Sequence, residues 1–294
     1  MNSSRRPDPA RRALCAGVLG TSLTAIPLSR VIAQTEPIKI GTTPVFLDDQ
    51  LGFLDTWRQY LENVLGAPVS FVQRGNYREI TDLLLAGQLD CAWLCGYPYV
   101  RYRDRLRLVA TPLFHGRPLY ESYLIVSAND LDTRDLTGMK GRTFAYSDSL
   151  SNSGYLTPRH TLWTSGIDPD RHFSRSFFTW AHKKVVQAVA VGMAEGGAVD
   201  GYVWETLNLI APEITRNTRV AWKSPSHGFP PVVALASAPA TARLRDALSG
   251  MASSPKGQAL LKKLNLDGFA NPDDRTFDSI AQMMRDLTSA GKVI

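Results

Sequence analysis

The segment FAYSDSLSNSGYLTPRH, Phe144 to His160, decides how the rest of the chain is read. A strand-like run, RTFAY, ends at Tyr146 and a helix-like run begins near Pro158. Between them Ser147, Ser149, Ser151, Asn152, Ser153 and Gly154 crowd hydroxyls and an amide into one loop. Thr157 and Pro158 read as an N-cap and first helical residue, so the turn before them is expected to be irregular, with its N–H groups free. A tight turn needs only about two such residues. The surplus suits a strand-to-helix loop that holds an anion through neutral dipoles; it also suits an ordinary polar turn that caps a helix.

Outward from this loop, strand-like and helix-length runs alternate. IKIGTTPVF, a helix near Leu51 to Leu65, VSFVQ, a helix near Tyr77 to Ala86, LDCAWL, a short helix near Pro98 and LRLVATPL form one series. After YESYLIVSAND the rhythm restarts with GRTFAYSD, the helix at Pro158, SFFTWAH, a helix near Lys183 to Gly192, and AVDGYVW. Such alternation predicts two α/β units with largely parallel sheets. YESYLIV and PPVVALA are expected to cross between them. The boundaries are 34–124 with 232–294 for lobe 1 and 125–231 for lobe 2, with an amphipathic helical tail over 241–291 that is broken by Pro255 and by GFANPDD. A small guest then sits in the cleft between lobes, facing the loops at the carboxyl ends of the strands.

The first 33 residues read as a signal peptide: Arg5, Arg6, Arg11 and Arg12 precede an apolar run to Leu28, with a cut after Ala33. The Arg11-Arg12 pair leaves Sec and Tat export both open. Past this leader no run is long and apolar enough to span a bilayer, so the mature protein is expected in the periplasm and not itself membrane-spanning. Of the 33 Lys and Arg, five lie before residue 34, and of the 27 Asp and Glu, one does, leaving 28 against 26. That balance carries no broad cationic footprint for nucleic acid. The five His are scattered and no paired C-x-x-C occurs, so no metal site or cofactor is implied.

FAYSDSLSNSGYLTPRHTLWTSGIDP, followed by AHKKVVQAVAVG and VDGYVWE, resembles the phosphate, phosphite and phosphonate solute-binding proteins of bacterial ABC transporters over nearly the whole mature chain. The resemblance implies a bilobal periplasmic-binding-protein fold of type II, closure on a small oxyanion ligand, and a membrane ABC permease as partner of a monomeric receptor. It implies that Ser151, Asn152, Ser153, Gly154 and Tyr155 supply donors to the ligand oxygens. Asn152 stands where the family usually has Thr. His182 matches the family's ligand-facing His, and Tyr77 and Tyr99 match its two cleft tyrosines. Relatives that hold aminoalkyl phosphonates carry an acid two residues beyond the position of Asp200; this chain has Tyr202 there, which argues against an ammonium-bearing ligand.

The residues themselves leave other readings open. His182 ends a strand and opens a helix whose Val185, Val186 and Val189 mark a buried face; as imidazolium it would supply charge that grows below about pH 6.5. Tyr77 and Tyr99 also suit amphipathic packing. Asp200 accepts a hydrogen bond from a ligand that keeps a P–OH, or caps the next turn. Thr43, in GTTP, belongs to a loop expected at the cleft. Cys91 and Cys95 could be free thiols, a local disulfide or ligand-binding groups. Some relatives sense arsenite through cysteine and signal to a histidine kinase, which keeps a Cys95-based oxyanion sensor as the alternative. A cleft enzyme with a Cys95/His182 pair has no third orienting residue, and the chain is read as no enzyme. RYRDRLR, Arg101 to Arg107, reads as a solvated helix face.

Overall fold

The computed structural model describes residues 36–43, 51–239 and 241–292; the expected leader lies outside the described residues. The first half runs β1 (Ile38–Thr42), α1 (Leu51–Leu65), β2 (Val69–Gln73), α2 (Tyr77–Leu85), β3 (Cys91–Trp93), α3 (Gly96–Arg101) and β4 (Leu106–Leu113). β5 (Leu119–Tyr120) leads to β6 (Ser122–Ser127), β7 (Thr143–Tyr146), α4 (Thr157–Thr164), β8 (Arg175–Phe178), α5 (His182–Ala190), β9 (Gly196–Asp200), α6 (Gly201–Ile210), α7 (Pro212–Thr215) and β10 (Thr218–Lys223). The chain returns through β11 (His227–Gly228) and β12 (Val232–Leu235) to α8 (Thr241–Ser249), α9 (Pro255–Leu264), β13 (Gly268–Ala270) and α10 (Asp278–Ser289).

Two sheets share one plan. The first has the order β13-β4-β12-β3-β1-β2 and the second β10-β6-β9-β7-β8. In each, the opening strand pairs parallel with the next two: β1 with β2 and β3, β7 with β8 and β9. Each sheet also takes one strand from the far side of a crossover, β12 in the first and β6 in the second. That strand runs antiparallel between the third strand and the fourth. The crossovers are Glu121 and the segment from Ser224 to Pro231, held side by side by the two-residue antiparallel ladder of β5 and β11. All of β6 belongs to the second sheet, so the chain crosses before Ser122. The tail helices are interrupted within GFANPDD, where Gly268–Ala270 forms β13 and pairs with β4.

Local sequence explains the helices that carry function. Asn76 accepts the Glu79 N–H and donates back to the Glu79 carboxylate, a reciprocal cap that starts α2. From there Tyr77, Ile80, Thr81 and Leu84 fall on one buried stripe. In α5 the same spacing buries His182, Val185, Val186 and Val189 together. The periodicity that puts valines into the core therefore carries the histidine in with them. Each fully buried Val, Leu or Ile contributes about 1.5–3 kcal/mol, more than the cost of one hydrogen-bonded neutral imidazole.

RYRDRLR is not one solvated helix face. It spans the end of α3, a turn and the start of β4, and its arginines are tied down: Arg101 to the Tyr97 hydroxyl, Arg103 to Asp274, Arg105 to the Leu85 carbonyl and Arg107 to the Ala238 carbonyl.

Candidate functional site

The carboxyl ends of five strands or their loops converge where the two sheets face each other. β1 leads to Thr43, β3 to Cys95, β7 to Ser147–Gly154 and β8 to His182, and β9 ends at Asp200. Ser151, Asn152 and Ser153 have no exposed surface, and His182, Tyr77, Cys95 and Asp200 are each 3% exposed or less. Burying so many polar groups is tolerable only where each finds a partner.

The Ser-rich loop is a single turn of π-helix, Asn152–Leu156, merging into α4. Such turns are rare and leave backbone groups free of the usual ladder. Ser151 caps the turn, its Oγ accepting the Gly154 N–H at 2.9 Å. The N-cap therefore sits six residues earlier than the Thr157 expected from sequence. Ser122 donates to the Ser153 carbonyl at 2.6 Å and Asn152 donates from Nδ2 to the Tyr120 hydroxyl at 3.0 Å. At Gly154 a Cβ would fall 1.8 Å from Ser147 Oγ and 3.1 Å from His182 Cε1. Only glycine lets these three groups meet. Two hydroxyls in this cluster, Ser147 Oγ and Ser153 Oγ, have no hydrogen-bond partner among the described residues. Ser153 Oγ lies beside the Tyr120 phenol without hydrogen-bond geometry to it. Each orphaned buried hydroxyl costs about 1–3 kcal/mol.

His182 is neutral. The Asp200 N–H donates to its Nδ1 at 3.1 Å, so its proton sits on Nε2, which is 3.5 Å from Ser151 Oγ. Burial lowers its pKa to about 3. The imidazolium expected from sequence is thus absent at neutral pH, because no nearby acid repays its desolvation. Burial pushes Asp200 up to about 8; its carboxyl also accepts the Val203 N–H at 3.3 Å and caps α6. Cys91 and Cys95 are free thiols held protonated by burial, at about 12 and about 11, and Cys95 Sγ accepts the Asn152 N–H at 3.2 Å. No group of three His, Cys, Asp or Glu suited to a metal occurs among the described residues. His182, Tyr77, Tyr120, Asp200 and Cys95 thus meet as neutral dipoles at pH 7.

The expected residues divide. Tyr77, Ser151, Asn152, Ser153, Gly154, His182 and Asp200 come together, and Thr43, Tyr77, Cys95, Asp200 and Tyr202 line one small cavity of about 20 Å³ with Trp93, Phe229 and Pro230. Tyr99 turns away: its hydroxyl donates to Asp274 and its ring packs 5.0 Å from Phe277. Tyr155 packs on Tyr146 at 5.1 Å, outside the cluster. The Tyr202 ring walls the cavity while its hydroxyl is spent on the Leu264 carbonyl at 2.5 Å. Sequence reasoning missed Tyr120 and Ser122 and placed Ser147 in the polar loop without singling it out. The first two sit in a strand that reads as core, and only the crossover aims them at the loop.

Groups from the two sheets touch directly here. The Tyr77 N–H donates to Asp148 Oδ2 at 2.9 Å, placing a carboxyl of the Ser-rich loop on the first turn of α2. With the Asn152 bonds to Cys95 and Tyr120, these contacts hold the two sheets' loops against one another.

Two α/β lobes, two adjacent crossovers and a buried polar cage between them define a bilobal solute-binding protein of type II topology. The chain belongs to the family of ABC transporter phosphonate periplasmic substrate-binding proteins, whose pattern matches residues 40–277. It is 24% identical over 271 residues to the phosphonates-binding periplasmic protein of Escherichia coli K12, covering 87% of this chain and 79% of that one. A binding component of a Pseudomonas aeruginosa ABC phosphonate transporter superposes with a TM-score of 0.78 at 22% identity, over 88% of this chain and 90% of that one. PhnD1 of Prochlorococcus marinus, solved with methylphosphonate, gives 0.75 at 21% identity, over 87% and 98%. No helix among the described residues is long and apolar enough to cross a membrane.

Proposed function

We propose that this protein is a monomeric periplasmic receptor that captures a small phosphorus oxyanion between its lobes and delivers it to an ABC permease. The observation that carries the reading is a buried polar cluster in which two hydroxyls, Ser147 Oγ and Ser153 Oγ, have no partner among the described residues and a neutral His182 holds its Nε2–H 3.5 Å from Ser151 Oγ. A tetrahedral oxyanion offers several acceptors to such donors. Hydrogen bonds to a charged acceptor contribute about 1.5–3 kcal/mol each, so four or five exceed the roughly 8 kcal/mol of micromolar binding even after ordering costs. Asp200 brings one proton into the cage and favours a monoanion over a dianion. The opposite wall, Trp93, Phe229 and Pro230, is apolar. It favours hydrogen, hydroxyl or methyl on phosphorus over an aminoalkyl chain.

The lobes are taken to meet at Glu121 and at the Ser224 to Pro231 segment, and the leader to direct export by Sec or Tat. Calorimetry with phosphate, phosphite, methylphosphonate and 2-aminoethylphosphonate tests the reading. Micromolar binding of at least one of the first three supports it; heat from none of the four overturns it.

A further inference from the structure

The last helix, α10, is fastened at both ends. It follows β13 of the first sheet, and the turn before it, Asp274–Phe277, is pinned to α3 and the residues just beyond: Asp274 accepts the Tyr99 hydroxyl proton and the Arg103 Nε–H, the latter at 3.0 Å. Ile280 packs onto Gly96, where a Cβ would fall 2.6 Å from its Cδ1. Ser279 Oγ meets His227 Nδ1 at 3.0 Å, which ties the first turn of the helix to a crossover.

The other end reaches the second lobe. Asp286 lies 2.9 Å from His160 Nε2 of α4. The helix stops in a Schellman turn: Gly291, with φ of 68°, donates to the Thr288 carbonyl at 3.0 Å and Lys292 to the Leu287 carbonyl at 2.9 Å. That turn delivers the Lys292 ammonium to Asp168 at 2.6 Å and Asp170 at 3.1 Å, in the loop after α4. Beneath these pairs, Ile280, Met283 and Leu287 share one apolar cluster with Leu94 of lobe 1 and with Leu150 and Leu156 of lobe 2. The tail expected in lobe 1 alone is thus held by both.

One helix cannot follow two bodies that move apart. On the receptor reading given above, opening strips α10 from one lobe. Its first end is continuous with β13 and seated on Gly96; its far end is held by partly exposed side chains, Asp168 and Asp170 being 41% and 48% exposed. The far end is the weaker, since exposed ion pairs shift an equilibrium only a few-fold and are screened by salt. We propose that α10 is an interlobe clasp: it rides on lobe 1, and its last turn, through Asp286 and Lys292, fastens to lobe 2 on closure and so sets the balance between open and closed forms. A state that gains these contacts is the more populated, and solute affinity scales with the fraction of chains able to close.

The test measures the distance between spin labels at Gly75→Cys, where a Cβ meets nothing within 4 Å, and at Lys184→Cys, exposed on α5. Cys91 and Cys95 are buried and stay unlabelled. In the ligand-free protein, the double variant Asp286→Asn/Lys292→Ala moves about threefold of the closed-to-open ratio toward the longer distance. Lys292→Arg keeps the wild-type distribution. So does Arg275→Ala, which removes an exposed pair with Asp273 inside the same tail. Raising salt from about 20 mM to about 500 mM lengthens the wild-type distance and changes the double variant less. A double variant that matches wild type, or an equal shift in Arg275→Ala, overturns the clasp. Should the double variant melt early, wild-type distances indifferent to salt overturn it. Methylphosphonate affinity falls by the same factor of about three; an unchanged affinity beside a shifted distance overturns the coupling. A shifted distance in a protein that takes up no phosphorus oxyanion upholds the clasp and defeats the solute reading instead.

Discussion

The Asp200 amide donates to His182 Nδ1 at 3.1 Å, and this one bond sets which way the histidine can act. With Nδ1 occupied as acceptor, Nε2 must carry the proton, so the ring presents a donor to the cage without presenting a charge. On the proposed reading, the grip on an anion depends on preorganised dipoles rather than on a cation.

The first prediction concerns that ring. His182 NMR signals will not titrate between pH 7 and pH 4, since burial takes its pKa to about 3. His182→Gln, which retains a donor, weakens oxyanion binding about tenfold, and His182→Ala by more. Their affinity profiles against pH run parallel to wild type. A step near pH 6.5 present only in the wild-type protein would show the ring to be charged.

Asp200 and His182 pull stability in opposite directions with pH. Asp200 titrates near 8 when folded and about 4 when unfolded, so the folded state holds an extra proton in that window and stability falls as pH rises through it. His182 is lowered, so its contribution is lost as pH falls below about 6.5. Above pH 6.5 only the Asp200 slope remains. We expect ligand-free stability to drop about 1–2 kcal/mol from pH 6.5 to 8 in denaturant titrations. Asp200→Asn, which can still cap α6, should remove that drop; an undiminished slope in the variant would assign it elsewhere.

Ser153→Ala separates binding from folding. Its Oγ is buried with no partner, so removing it relieves a desolvation cost. The melting temperature of the free protein should stay or rise, while oxyanion affinity falls about tenfold. A destabilised variant with intact affinity contradicts a ligand-facing role.

Gly154→Ala does the reverse. Its new methyl group collides with Ser147 Oγ and presses on His182, so both stability, by about 1–3 kcal/mol, and solute binding decline. Gly52, whose Cβ position meets nothing within 4 Å in α1, is the control. Gly52→Ala should stabilise by about 0.5–1 kcal/mol through helix propensity, as read from unfolding midpoints.

Much of the architecture was legible because period and punctuation report local structure directly. The run LRLVATPL is β4 to the residue, and the helix expected near Tyr77 to Ala86 is α2, Tyr77–Leu85. β13 was not legible: three residues, Gly268–Ala270, carry no period, and only β4 as a neighbour makes them a strand. The candidate site divides along the same line. Ser151, Ser153 and Gly154 stand out by crowding in one loop, and His182 stands out only through the family resemblance of its context. Tyr99 does not reach the cluster, because Asp274, 175 residues later in the chain, claims its hydroxyl.

By itself the sequence determined the βα rhythm, the doubled unit and the polar loop, since hydrophobic spacing and turn chemistry act between near neighbours and leave their mark in the order of residues. Only the tertiary structure decided that His182 is uncharged, that Asp200 holds its proton near neutrality and that the Tyr120 hydroxyl meets Asn152. Desolvation and hydrogen-bond partnership depend on which distant segments close over a group, and no stretch of chain read alone contains its own surroundings.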